Sequence, residues 1–537
     1  MKLSQILLLA GFSIFAITEV SAQKKLPQPI DYNKIPAKKA DIKDSDLKRW
    51  SHLDLVKDTI PGMSVDRAYS ELLKKKKNSK VIVGVIDSGV DIEHEDLKSV
   101  IWTNSKEIVE NGIDDDKNGY IDDVHGWNFL GDSTNENLEL IRILKKGDDG
   151  STQYKAAQSA YNVKFPEALM GKQQADFILY AHKNVSDHLK KSDYTLAEVK
   201  EMVPNSSALR QSKQIMISII EDSGSDFLTE INEFKDQMDE MIRYNLNKDF
   251  DGRKIVGDNP DDFNSRNYGN NNVTGPEKKH ALHGTHVSGI IAQIRDNKKG
   301  GDGIANNVSI MAIRAVPNGD EYDKDIALAI RYAVDNGAKV INGSFGKAFS
   351  PHKEWVYDAI KYAASKDVLI VKASGNDSED IDLEENPSYP NDSEDGKTEF
   401  ADNVLTVGAL SPKFNSELAA SFSNYGKRNV DVFAPGVKIY ASVPDNGYRF
   451  EDGTSMASPN AAGVAALIRS YYPDLTAKQV KQILMDSGTP LTLEVEVGKP
   501  KEKKSFAEIS KSGKMVNAYN ALLMAEKLTK NKLGLLN

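Results

Sequence analysis

The sequence predicts an α/β fold: a three-layer, doubly wound parallel sheet carrying a mostly helical insertion. Two observations lead there. Continuous apolar runs rich in β-branched residues recur at VIVGVID (81–87), VSIMAIRAV (308–316), AKVINGSF (338–345), VLIVKAS (368–374) and VLTVGAL (404–410). Such runs mark strands buried on both faces. Helical patterns lie between several of them, including DIALAIRYAVDNG (325–337) and EWVYDAIKYAAS (354–365). Alternation at this spacing builds crossovers between parallel strands, and functional groups then gather beyond the strands' carboxyl ends.

The elements follow in chain order. Residues 1–22 hold the apolar run ILLLAGFSIFAI after Met1-Lys2 and end on Val20-Ser21-Ala22. The run is short for a bilayer span, so a removed export signal is expected, with an extracellular or periplasmic product. Residues 23–60 read as a polar lead-in or short propeptide. The main domain begins over 61–128, where SVDRAYSELLKKKK (64–77) reads as a short helix ahead of the first strand. From 129 to 270 the strand pattern stops. Stretches such as QADFILYAHKNVSDHLKK and SDFLTEINEFKDQMDEMIRY carry helical periodicity instead. The main domain resumes over 271–537 and closes on two helical patterns, DLTAKQVKQILMDSG and MVNAYNALLMAEKL.

Composition narrows the function. A net charge of −10 over 537 residues gives no basic surface for nucleic acid. No later stretch is long and apolar enough for a membrane helix, and a monomer is expected. The chain has no cysteine, so neither disulfides nor thiolate metal sites hold it together.

Four residues stand where chemistry gathers in such a sheet. Asp87 ends the first central strand in VIDSGVD, where a buried carboxylate needs a partner. His283 opens a helical run in HALHGTHVSGIIA (280–292). Its neighbouring histidines suggest zinc, yet the H-E-x-x-H arrangement is absent and no cysteine can contribute. An imidazole at a helix start is better placed as a general base. Asn376 follows another strand in VKASGNDS, as a turn residue or an amide donor to an oxyanion. Ser455, in EDGTSMASPNAAGVAALI (451–468), stands where a turn meets a buried helix. It is either a helix cap or a nucleophile beside helix-start amides.

Together these motifs resemble the subtilisin-like (subtilase) family of serine peptidases, family S8. The matches are VIDSGVD, HGTHVSG, ASGN and GTSMASP, in that order. The resemblance implies a serine endopeptidase acting on proteins or peptides, with no cofactor for catalysis. Ser455 would attack the carbonyl, His283 take its proton, and Asp87 orient the imidazole. Asn376 and the Ser455 backbone N–H would hold the oxyanion. VINGSFG (340–346) looks like the family strand that pairs with an extended peptide, which puts Ser344, Phe345 and Gly346 along the substrate. Ala373, Ser374 and Gly375 are expected to contact the substrate as well.

The sequence departs from the family in three places. Asn460 and Ala461 stand where histidine and valine usually follow GTSMASP. The helical insertion sets His283 far from Asp87 and can restrict access to the cleft. The lead-in is short for a folding-assistant propeptide. Two acidic loops add a structural calcium expectation, against the plainer reading of solvated turns. NGIDDDKNGYIDD (111–123) offers Asp114, Asp116 and Asn118, with Asp122 or Asp123 to close the loop. NLNKDFDGRKIVGD (245–258) offers Asn247, Asp249, Asp251 and Asp258.

Overall fold

The computed structural model describes residues 42–224 and 227–534. The expected export signal and the lead-in up to residue 41 lie outside the described residues. From residue 42 onward the lead-in belongs to the body. After a short helix α1 (Asp44–Leu47), Trp50 is 1% exposed and its indole N–H donates to the carbonyls of Val437 and Lys438. Leu55, Ile60 and Met63 are also buried. The polar look of 23–60 therefore hides an apolar set, few in number but large enough to dock this segment. The helix expected at 64–77 is one turn, α2 (Val65–Ala68), followed by a wider turn over Tyr69–Leu73.

β1 (Val81–Asp87) and β2 (Gly126–Asn128) precede the helical segment. That segment holds α3 (Glu139–Lys145), α4 (Thr152–Leu189), α5 (Leu196–Glu201), α6 (Ser207–Ser223) and α7 (Phe227–Glu240). Serines cap α4 and α6, and Thr195 with Glu198 closes a capping box on α5. The segment has cores of its own, one around Ile178, Val185, Met216 and Phe227, another around Ile141, Leu144 and Met238. The chain returns through the short α8 (Arg253–Val256) into α9 (Leu282–Ala292).

Then come β3 (Val308–Arg314), α10 (Asp323–Asp335), β4 (Val340–Gly343), α11 (Lys353–Ser365), β5 (Leu369–Ala373), β6 (Val404–Leu410) and β7 (Val432–Pro435). A hairpin of β8 (Ile439–Val443) and β9 (Gly447–Glu451) leads into α12 (Thr454–Tyr471) and α13 (Ala477–Ser487). β10 (Thr489–Pro490), the hairpin β11 (Glu494–Val497) with β12 (Glu502–Ser505), β13 (Lys514–Met515) and α14 (Ala518–Gly534) complete the chain.

The sheet has nine strands in the order β10-β13-β7-β6-β5-β4-β1-β3-β2, parallel from β2 through to β13, with β10 antiparallel at the edge. Its two faces are both covered. Ile86, Ile341 and Ile370 pack with α10 and α11. The next residue along β4, Asn342, points the other way and accepts a hydrogen bond from Ser458 of α12 (2.8 Å). α9 and α12 are both enclosed, and α12 is buried along nearly its whole length. The strand order reverses beside β1, so the ends of β1, β4 and β5 and the starts of α9 and α12 meet on one rim.

Candidate active site

Asp87 is the last residue of β1 and is 1% exposed. His283 lies in the first turn of α9, and its Nδ1 is 2.7 Å from Asp87 Oδ1. Gly284 permits this approach, since a Cβ there would stand 2.1 Å from the Gly89 carbonyl oxygen. The same Asp87 oxygen accepts from the Ser88 N–H (2.7 Å). The His283 side chain is 38% exposed, with one nitrogen on the carboxylate. Burial alone would lower its pKa, but the charge and hydrogen bond of Asp87 outweigh that and hold it above the ordinary value.

His286, one turn along, is a different kind of histidine. It is 0% exposed, and its Nε2–H donates to the carbonyls of Ile439 (3.1 Å) and Arg449 (3.2 Å). Burial pushes its pKa down to about 3, so it stays neutral and ties α9 to the β8–β9 hairpin.

Ser455 occupies the first turn of α12. Its Oγ donates to the Ser344 carbonyl (3.1 Å), and among the described residues it makes no hydrogen bond to His283. In return Ser344 Oγ donates to the Ser455 carbonyl (2.8 Å). That carbonyl is free because Pro459, four residues on, has no N–H to offer it. Asn342 Nδ2 donates to Ser344 Oγ (2.9 Å), which completes a chain from β4 into the helix.

Asn376 follows β5. Its Oδ1 accepts from Thr454 N–H (2.9 Å) and Thr454 Oγ (2.8 Å), so the amide's NH2 is the end left to donate. Thr454 Oγ also accepts from Gly375 N–H (3.2 Å). Thr454, not singled out from sequence, therefore locks this loop to the residue before Ser455. The GTS motif contains it, and only the loop's position reveals its partner. Arg314 was missed as well. It ends β3 at 1% exposure and donates to the Ser88, Gly131 and Ser133 carbonyls and to Asn128 Oδ1. A single arginine in the apolar run IMAIRAV was the signal.

Of the expected substrate-bordering residues, Phe345 is half-buried and Gly346 exposed. Ser344 is 4% exposed, and its hydroxyl is engaged with Asn342 and α12. Ser374 departs from expectation. It is 0% exposed, its Oγ donates to the Asn424 carbonyl (3.1 Å), and its carbonyl accepts from Asn424 Nδ2 (3.1 Å). With Ala373 buried inside the sheet, Ser374 supports the Gly375–Asn376 turn and presents no side chain to a peptide. Gly375 is partly open beside Asn376. A cleft of about 450 Å³ runs past Asp87 and His283 between the Val316–Gly319 loop and Ser344–Gly346.

The two acidic loops diverge. In the first, Asp114 and Asp116 lie with Glu107 so that their oxygens fall within 4.8 Å of one another. Glu107 is 7% exposed and its Oε2 has no hydrogen-bond partner. Asn118 stands beside them through N–H bonds to both aspartates. Asp122 and Asp123 are outside this group. Asp122 accepts from the Asn111 and Gly112 N–H groups. Asp123 is saturated by Tyr332 Oη (2.6 Å), Asn104 Nδ2 (3.0 Å) and Asn118 Nδ2 (3.0 Å). In the second loop the expectation fails at Asp258, whose two oxygens are already held by Arg253 (2.6 Å) and Lys324 (2.7 Å). Two fixed cations do there what an ion would do. Asn247 Oδ1 accepts from the Asp249 N–H and Asp251 faces Lys254, and among the described residues Asp249, Asp251 and Asp258 form no converging carboxylate group.

Comparison with known proteins fits this arrangement. The profile of the Subtilase family matches residues 78–507. A relative described as "Thermophilic serine proteinase" from a Bacillus species is 43% identical over 35% of this chain and 42% of its own length. "Subtilisin DY" from Bacillus licheniformis is 38% identical over 39% of this chain and 71% of its own. A solved protease chain from Pseudoalteromonas arctica shares 29% identity, covering 45% of this chain and 70% of that one, with a TM-score of 0.37. The chain thus spans less than half the length of the first of these relatives. With the family profile matching most of its length, the chain belongs to the subtilase family, peptidase family S8.

Proposed function

We propose that this protein is an exported serine endopeptidase that cleaves peptide bonds through an acyl-enzyme on Ser455. The observation that carries the reading is the Asp87–His283 hydrogen bond of 2.7 Å on the rim where α12 begins. Asp87 fixes the imidazole with Nδ1 occupied, which leaves Nε2 to take a proton. Turning about χ1, the Ser455 hydroxyl leaves the Ser344 carbonyl for that nitrogen, attacks the scissile carbonyl, and passes its proton to His283. The charge that develops on the carbonyl oxygen meets the Ser455 N–H and the NH2 of Asn376, which Thr454 holds in place. His283 then protonates the leaving amine, and water repeats the sequence to release the acid. The backbone after β4, at Ser344–Gly346, is the edge along which an extended peptide pairs.

The helical insertion bears on access. Glu233 of α7 pairs with Arg449 of β9 (3.3 Å), and Glu240 accepts from Asn318 Nδ2 (2.8 Å), so the insertion rests on the His283 side of the cleft. A wall raised on this side favours flexible segments over folded protein surfaces. Export rests on the apolar run of residues 6–17; among the described residues no helix is long and apolar enough to cross a membrane. Catalysis needs no cofactor.

The Glu107, Asp114 and Asp116 group fits a calcium ion, because its oxygens converge and one buried oxygen lacks a partner. A bound ion would fix the loop that leads into β2. Removing calcium with a chelator is expected to lower the melting temperature by several degrees, and an unchanged value would remove the ion from the account.

Casein incubated with the purified protein is expected to be degraded, and casein with the Ser455→Ala variant to stay intact. Equal loss in both samples, or none in either, contradicts the peptidase reading.

A further inference from the structure

The cleft beside His283 carries acidic groups that the proposed reaction does not use. Glu321, in the loop after β3, is 3% exposed and lines this cleft, and its Oε1 has no hydrogen-bond partner. Burial pushes its carboxyl up to about 7, the behaviour of an acid enclosed without enough positive charge. Lys347 works against that shift and, with Arg142, donates to the Glu321 backbone carbonyl (2.7 and 3.2 Å), but its ion pairs are with Glu139 (2.8 Å) and Asp323 (2.9 Å) and leave the Glu321 carboxyl without one. Glu240, at the end of α7, lines the same cleft and spends Oε2 on Asn318.

Among the described residues no cation lining the cleft forms an ion pair with Glu321 or Glu240, although Lys279 attracts Glu240 from a distance. Arg314 gives its guanidinium to backbone carbonyls and Asn128, and Lys279 pairs with Glu277 (3.0 Å). Burial holds His280 below its ordinary pKa, hence neutral near pH 7. Val316, Pro317 and Phe345 add apolar surface to the same walls. Carboxylates without an ionic partner and apolar surface in one cleft suit a long side chain with a cationic tip.

We propose that this cleft is a subsite for a lysine or arginine side chain of a bound peptide, with its stem on Val316, Pro317 and Phe345 and its head between Glu321 and Glu240. The proposal rests on the peptidase reading for the presence of a peptide, not for chemistry at Ser455. A neutral side chain of equal length would leave Glu321 without a partner, so discrimination is set by charge. Glu240 belongs to the insertion, which makes the insertion a source of selectivity as well as a wall of the cleft.

The test measures binding to the Ser455→Ala protein by fluorescence polarisation. The probes are labelled octapeptide pools that carry arginine or its neutral isostere citrulline at one fixed position. At one position arginine is expected to bind about tenfold tighter. That ratio should fall close to one when Glu321→Gln is added, and by a smaller factor with Glu240→Gln. Unchanged affinity for the citrulline pools shows that each variant still folds. Should the Glu321 variant not fold, the Glu240 variant alone must lower the ratio. A ratio near one at every position, or one that survives both substitutions, overturns the subsite. Selective arginine binding by a protein whose Ser455 form cleaves nothing leaves the subsite standing and removes the hydrolysis reading instead.

Discussion

At the carboxyl end of the sheet, polar groups meet neutral partners, whereas at the foot of the insertion charge meets charge. On the sheet side, Arg314 binds carbonyls, His286 binds carbonyls, Asn376 binds Thr454, and Ser344 exchanges hydrogen bonds with Ser455. The Asp87–His283 pair is the charged contact at its centre. On the insertion side, Arg253 bridges Asp258 and Asp325, Lys324 adds to Asp258, and Arg142 and Lys347 share Glu139. All of these side chains are less than a tenth exposed. A reacting site moves one proton while the groups around it are held in place by hydrogen bonds to neutral partners. A joint between two folded parts needs register, which mutually neutralising ions supply as long as every partner is present.

Three substitutions sharpen this contrast. The largest effect belongs to Asp87→Asn, expected to lower kcat about 10⁴-fold because the imidazole loses its orienting partner. It also shifts the pH profile in a stated direction. His283 must be neutral to accept a proton, so activity falls as pH drops through its raised pKa. The neutral amide of this variant lacks the charge that raises it, so the acid limb of kcat/KM should move to lower pH. An acid limb that stays in place assigns the titration to another group.

Arg253→Leu breaks the other side. It leaves Asp258 with Lys324 alone and Asp325 with the Tyr268 hydroxyl, at a cost of about 3–5 kcal/mol. Urea unfolding is expected to show the loss as a lower midpoint. Surviving protein should cleave a short unstructured peptide at close to the normal rate. A stable variant with reduced kcat would show that the joint reaches the chemistry, and the contrast would fail.

Asn376→Ala ranks third. Loss of one oxyanion donor costs about 3 kcal/mol, or 10²–10³ in kcat, with KM little changed. A melting temperature within a few degrees of the parent is expected, since the loop keeps the Gly375–Thr454 bond. An equal loss in KM would instead mark Asn376 as a binding residue.

Much of the body could be read from the sequence, because its strands are enclosed on both faces and so written in unbroken apolar runs. VIVGVID and VLTVGAL coincide with β1 and β6 to the residue. β2 and β7, at three and four residues, were too short to stand out, and the β8–β9 hairpin alternates too weakly, with β9 half-exposed throughout. The site residues were legible through four motifs, yet their supports were not. Thr454 and Arg314 act through partners 78 or more residues away, which only the folded chain brings near. The acidic loops show the same limit. Alternate-residue spacing predicts oxygens that face inward, but not which cation meets them, and in the second loop the cations are Arg253 and Lys324. Asn460, one of the departures from the family motif, donates to the carbonyls of Pro435 and Met456 and pins α12 to the end of β7.

The central claim is that one hydroxyl on this rim is made nucleophilic by the paired imidazole beside it. Labelling with a fluorophosphonate tests this most directly, because the serine oxygen forms the new bond to phosphorus, fluoride departs, and mass spectrometry locates the adduct. The account predicts a single adduct on Ser455, lost in His283→Ala and strongly slowed in Asp87→Asn. An adduct on another residue, or labelling of Ser455 at the same rate without the imidazole, would contradict it.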